Sequence, residues 1–223
     1  LHLIDDADVF IQNYRPGVAE RLGLGVDALQ ARNPEIVYCS LSAYGADGPI
    51  GGRPAYDHVV QAMSGIMETT GTDEMGPVKV GAPYVDYATG LNAAFAVMAA
   101  LAERTRTGEG QVVDVSMLDT TLNLMASNMS AVATTGNDLP KLGNEAASGS
   151  PSSGCFTTGD GEHIMLAANN ERQFADLCKG LGHPEWSSDE RWSGPTVRRQ
   201  NQAELRDLMA EAFASDSAQA WEV

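Results

Sequence analysis

The sequence predicts an α/β protein, a parallel-sheet domain followed by a smaller α+β domain, and three observations predict it. Short apolar runs alternate with helical periods through the first 135 residues, the order of a βαβ-type fold. The run EIVYCSLS, Glu35 to Ser42, has no charge after its first residue, as a central parallel strand covered on both faces requires. Composition then shifts over Thr135 to Gly154, where Gly, Ser, Asn and Ala dominate, and shorter strands and helices follow.

The elements follow in order. Val9-Phe10-Ile11-Gln12 reads as a buried strand ended by the turn Asn13-Tyr14-Arg15-Pro16-Gly17. Val18 to Leu22 and Val26 to Arg32 are short helices, the second stopped by Asn33-Pro34. After the Glu35 to Ser42 strand comes a glycine-rich loop, GADGPIGGRP. Tyr56 to Thr70 carries Val59, Val60, Met63, Ile66 and Met67 at helical spacing. Asp86 to about Arg106 is a long helix rich in small residues, closed by Thr107-Gly108-Glu109-Gly110 as a C-cap. Gln111 to Val115 is a strand, and Ser116 or Asp119 opens a helix to about Thr135. Beyond the Gly/Ser/Ala segment, CFTTGDGEHIMLAA reads as two strands around an Asp160-Gly161 turn. Glu171 to Leu181 is a helix, HPEWSSDERW a turn, and Arg199 to Ala214 a final amphipathic helix. The domain boundaries expected are 1–135, a flexible connection 136–153, and 154–223.

Charge excludes some partners. The formal net charge is −16, which argues against nucleic acid or an anionic membrane as a bulk partner. No apolar run reads as long enough to span a bilayer, and no basic, apolar, small-residue leader opens the chain. LHLIDDADVF lacks a starting Met and SAQAWEV stops where an apolar helix begins, so an interior piece of a longer cytoplasmic protein is expected. Cys39, Cys155 and Cys178 form no CxxC pair and read as reduced, packed thiols, while four scattered histidines offer no metal-ligand spacing. With few cations, the clusters Arg15/Arg21, Arg104/Arg106 and Arg198/Arg199 stand out. Arg104 and Arg106 suit the last turn of a helix, where cations complement the dipole.

Chemistry concentrates between Thr69 and Asp119. Asp73-Glu74 sits in a Gly-bounded turn, and Asp86 lies at the start of the long helix. Carboxylates on turns suit nucleophilic or acid/base work, though a solvated turn and a helix cap employ the same residues. No dinucleotide fingerprint, Walker loop or nucleophile elbow is present. The NYRPG turn, at a strand end before a helix, is the candidate anion site, with Arg15 and Arg21 as phosphate forks.

ADVFIQNYRPGVAERLGLG, SAYGADGP, the TTG…GP…VGAP..DYATG block and RTGEGQVVDVSMLD together resemble the class III coenzyme A transferases, the CaiB/BaiF family. That family includes formyl-CoA transferase, carnitine CoA-transferase and α-methylacyl-CoA racemases. The resemblance covers essentially the whole chain and implies a partial Rossmann-like large domain plus a small domain, in an interlocked homodimer. It implies CoA transfer from an acyl-CoA to a free carboxylic acid through an enzyme-carboxylate anhydride and an enzyme–CoA thioester, without a metal. Counting back from Asp86 without gaps places Glu74 at the nucleophile position, with Asp73 one residue earlier. As CoA-pocket residues the resemblance implies Asn13, Tyr14, Val18, Arg21 and Leu22, with Arg15 added and Tyr44 near the acyl site. The loop Gly143 to Pro151 stands where some transferases carry a glycine-rich lid. The racemases instead pair a histidine with the aspartate matching Asp86. Here that histidine position holds Tyr56, and His58, two residues on, points about 200° round a helix. The racemase and an inert CoA-binding fragment are the alternatives.

Overall fold

The computed structural model describes residues 1–222. It contains two compact units, Leu1–Lys141 and a second beginning at Leu142. The segment expected to be a loose connection is therefore divided between them. Its C-terminal part is bonded into the second unit: Ser152 is fully buried and donates to Ala168 O at 2.7 Å, and Ser148 donates to Asn169 Oδ1 at 2.7 Å.

In the first unit, β1 (Val9–Gln12), β2 (Val37–Ser42) and β3 (Val112–Ser116) form a parallel sheet in the order β1-β2-β3. Val9 is registered with Val37, and Tyr38 with Val112. Two short helices, α1 (Val18–Arg21) and α2 (Val26–Arg32), connect β1 to β2. Three more, α3 (Asp57–Ser64), α4 (Ile66–Thr70) and α5 (Tyr84–Thr107), connect β2 to β3. The uncharged run through β2 divides by the period of two of a strand. Val37 and Cys39 pack with Ala93, Val97 and Ala100 of α5, whereas Tyr38 packs with Leu29 of α2 and Ile36. Helices thus cover both faces, which is why β2 tolerates no charge.

Three expectations are corrected. The helix read from Tyr56 to Thr70 breaks at Gly65, whose φ of 84° is left-handed and ends α3. The helix expected to run to Thr135 breaks at Met125, between α6 (Met117–Leu124) and α7 (Ala126–Thr135). The apolar length of α5 was also underread: by length and composition alone this 24-residue helix is long and apolar enough to cross a membrane. In the fold, Val85, Thr89, Ala93, Val97 and Ala100 form its buried stripe. Arg104 does more than complement the dipole of α5, since its guanidinium donates to Glu35 O at 3.0 Å and pairs with Asp8 at 2.6 Å. It ties the end of the helix to the segments leading into β1 and β2.

In the second unit, β4 (Ser153–Thr157) and β5 (His163–Ala167) form the expected antiparallel hairpin, turned at Gly161 with φ 82°. Helices α8 (Glu171–Gly180), α9 (Pro195–Gln200), α10 (Gln202–Phe213) and α11 (Ala218–Trp221) follow. Pro195 restarts a helix four residues before the expected start at Arg199, and Asn201 separates α9 from α10. Phe156, Phe174, Trp186, Trp192, Leu205, Met209 and Phe213 form the core.

Candidate functional site

All three strands of the parallel sheet end at one cavity. Asn13, Tyr14, Arg15 and Pro16 leave β1, Leu41, Ser42 and Ala43 end β2, and Met117 follows β3; all line a space of about 600 Å³. Arg53 to Tyr56 and Val59 close it from the start of α3, and Asp86, Thr89 and Gly90 from the start of α5. In parallel α/β sheets the carboxyl edge is where ligands bind, because loops and helix N-termini converge there without blocking the core.

The sequence sets each wall. Gln12 accepts the Tyr14 N–H at 2.8 Å, and Asn13 Nδ2 donates to Leu41 O at 3.0 Å, locking the ends of β1 and β2 together. Gly17 takes φ 79° to turn the chain into α1, and a Cβ there would stand 3.3 Å from Arg21 Nη1. The amide of Val18 donates to Arg15 O at 3.0 Å. The backbone amides of Tyr14 and Val18 are therefore committed within the protein. The glycine-rich loop closes on itself, Gly52 N donating to Gly45 O at 3.0 Å, and delivers Arg53 to the cavity.

Two carboxylates, Asp57 of α3 and Asp86 of α5, meet at the start of α5 in different roles. Asp57 accepts the N–H groups of Val85 and Asp86 at 2.7 and 3.1 Å, so it, and not Asp86, caps α5. Asp86 lies in the first turn and presents its carboxylate to the cavity wall. Asp86 is exposed, and partial desolvation, reinforced by the nearby charge of Asp57, holds its carboxyl above the usual aspartate range. Asp119 is spent on a helix start, accepting from Ser116 Oγ at 2.7 Å while Ser116 accepts its amide at 3.0 Å.

Of the residues expected at the CoA site, Asn13, Tyr14 and Arg15 line the cavity. Val18, Arg21, Leu22 and Tyr44 are not among its lining residues. Arg21 lies against the Gly17 turn, Leu22 is 58% exposed, and Tyr44 packs beside Ala43, Val60, Val85 and Met117. The Asp73-Glu74 turn forms as expected, with Gly76 N donating to Thr72 O at 2.9 Å and Gly71 so close to Gly76 O that a Cβ would stand 1.7 Å away. Both acidic side chains point outward and neither lines the cavity; Asp73 instead pairs with Lys141 at 3.3 Å. Arg53, near the end of the glycine-rich loop GADGPIGGRP, also lines the cavity, and no local pattern in the sequence singles it out. Tyr56 lines the cavity at the position where the racemases carry histidine, and His58 does not.

The fold and site define an α/β protein with a carboxylate-bearing cavity at the carboxyl edge of a parallel sheet. The family model described as CoA-transferase family III matches residues 1–223, and the chain belongs to that family. An "Acyl-CoA transferase" of Fusarium pseudograminearum is 38% identical over 99% of this chain and 48% of its own length. A "Succinyl-CoA:glutarate CoA-transferase" of Mus musculus is 35% identical over 96% and 49%. Among solved structures, a CAIB/BAIF family protein from Brucella suis aligns with TM-score 0.84 at 32% identity, covering 97% of this chain and 57% of that one. A hypothetical protein from Mycobacterium tuberculosis aligns with TM-score 0.86 at 36% identity, covering 99% and 58%. The chain spans about half the length of the curated relatives it matches.

Proposed function

We propose that this chain carries the acyl-transfer site of a CoA-transferase that moves CoA from an acyl-CoA to a short dicarboxylic acid, with Asp86 as the attacking carboxylate. The observation that carries the reading is the position of Asp86 on the wall of the cavity that Asn13, Tyr14 and Arg15 also line. An Asp86 oxygen attacks the thioester carbonyl, the C–S bond breaks, and CoA leaves as thiolate from an acyl-aspartyl anhydride. The thiolate then attacks the aspartyl carbonyl, releasing the donor acid and leaving an Asp86–CoA thioester. The acceptor carboxylate attacks that thioester, forming a second anhydride and freeing the thiolate. Attack of the thiolate on the acceptor acyl carbon gives the new acyl-CoA and restores Asp86. This is carboxylate nucleophilic catalysis, in which the protein supplies position.

The dicarboxylate class is supported by two guanidiniums in the cavity. Among the described residues Arg15 and Arg53 form no ion pair, which leaves both forks free for anions. Relatives named for glutarate, D-citramalate and oxalate transfer act on acids of this kind. The assay follows isotope-labelled acid into the thioester fraction when it is incubated with unlabelled succinyl-CoA. Label entering the thioester is the expected result. Deuterium exchange at the acyl α-carbon without label transfer would instead make the protein a racemase. Tyr56 argues against that alternative, since among the described lining residues no imidazole is available to exchange the α-proton.

A further inference from the structure

We propose that Asp57 is the positioning residue for Asp86: together with Gln61 it fixes the start of α5, and so fixes where the Asp86 carboxylate stands in the cavity. The inference rests on the reading of Asp86 as the attacking group.

A helix start leaves its first N–H groups without intrahelical partners. Pro83 precedes α5 and supplies no side-chain cap, so those donors need an acceptor from elsewhere. Asp57 Oδ2, from the first turn of α3, accepts two of them, the amides of Val85 and of Asp86 itself. Its other oxygen accepts from Gln61 Nε2 at 2.5 Å. Gln61 is fully buried, and its Oε1 accepts the Val80 N–H at 2.9 Å. A continuous chain thus runs from Val80 through Gln61 and Asp57 to the backbone of Asp86. It pins both ends of the 80–86 segment to one face of α3.

The donors and acceptors of this chain are fixed in direction. Gln61 Oε1 must face the Val80 amide, so Gln61 Nε2 must face residue 57. Residue 57 meets donors on both sides, and only an acceptor-only group satisfies them all. An asparagine there would set its own Nδ2 against a donor, either at Gln61 or at the α5 amides. The carboxylate at 57 is therefore required by geometry at its own position. Held beside Asp86, it also places a like charge next to the nucleophile and favours the protonated form there. The other charged or titratable groups lining the same cavity as Asp86 are Tyr14 and Arg15 after β1 and Arg53 and Tyr56 before α3. Asp119, at the start of α6, is engaged by Ser116.

The test compares Asp57→Asn and Gln61→Met with the unaltered protein by two readouts, folding being verified by circular dichroism. One is the Asp86 carboxyl titration midpoint, followed by ¹³Cγ-aspartate NMR with the signal identified in Asp86→Asn. The other is the rate and pH dependence of acylation by succinyl-CoA, with the adduct located by peptide mapping. In Asp57→Asn the Asp86 midpoint falls, the acid limb of acylation moves to lower pH, and the plateau rate drops on the order of 10- to 100-fold through misplacement. Gln61→Met keeps the charge, so its rate falls while the acid limb stays. A merely structural role would change the yield of folded protein and leave the acid limb in place.

An unchanged Asp86 midpoint, or an unchanged acylation rate, in folded Asp57→Asn overturns the inference. If Asp57→Asn does not fold, an unchanged rate in Gln61→Met overturns it. Mapping of the unaltered protein's adduct to Glu74 or Asp73 would defeat the Asp86 reading separately. The positioning of Asp86 is then decided by its midpoint alone.

Discussion

Glu171→Gln in α8 is the most informative perturbation of the second unit. Arg198 is 4% exposed, yet its guanidinium carries a full charge. It donates to both Glu171 oxygens, at 3.1 and 2.7 Å, and to Trp192 O at 3.1 Å, and it lies 3.7 Å from the centre of the Phe174 ring. Glutamine keeps the size of Glu171 but presents one acceptor and one donor to a group that only donates. One charge-assisted bond is lost and the other keeps only the charge of its donor, while the Arg198 charge stays buried. Bonds to charged groups contribute about 1.5–3 kcal/mol each. Because the Glu171 side chain is 61% exposed, solvent screening reduces the expected loss to about 1–2 kcal/mol. In a cooperative unit of this size that lowers the midpoint of thermal unfolding by roughly 5–15 °C.

Acid provides the check on cause. Arg198 holds the Glu171 carboxyl below its ordinary value of 4.5. A lowered folded pKa means the stabilisation is fully present above the unfolded value and is lost as pH falls through the folded one. Differential scanning calorimetry from pH 7 downward should therefore show the two proteins converging once pH has fallen below 4.5 and through the lowered folded value of Glu171. A loss under about 2 °C at pH 7, or a difference that persists unchanged into acid, would refute the ion-pair reasoning.

Three further outcomes are expected. Burial pushes the Cys178 thiol up to about 11, so iodoacetamide at pH 8 should leave it unmodified in the folded protein and label it after denaturation, as read by peptide mass. Arg53→Ala should raise KM for the acceptor acid about 10- to 100-fold, the value of a lost charge-assisted bond, with thermal stability unchanged. CoA at 100 times its dissociation constant should stabilise the fold by about 2.7 kcal/mol in a thermal-shift assay, and no shift at millimolar CoA would favour a chain that folds without a complete CoA site.

Legibility followed the range of the interactions. α2, β2 and the β4–β5 hairpin were readable because a local pattern determines each: apolar spacing before Asn33-Pro34, an uncharged run, and Asp160-Gly161. The break at Met125 carries no Gly or Pro signal and was missed. The Asp73-Glu74 turn was also readable, because Gly71 and Gly76 bound it, Gly71 where a Cβ would clash and Gly76 at a φ of 71°. What local pattern did not reveal is where that turn lies relative to the carboxyl edge of the sheet. Asp86 read as its own helix cap because Asp is common there. The cap comes instead from Asp57, 28 residues before Val85, and frees Asp86 for the cavity. Arg53 was hidden for a similar reason, since a loop's glycines announce a turn but not its direction.

The central claim concerns one carboxylate, and trapping tests it most directly. The protein is mixed with succinyl-CoA, treated with hydroxylamine or borohydride, and digested for peptide mapping by mass spectrometry. Modification at Asp86, absent in Asp86→Asn, is the result this account predicts. Modification at Glu74 or Asp73 with Asp86 untouched would contradict it.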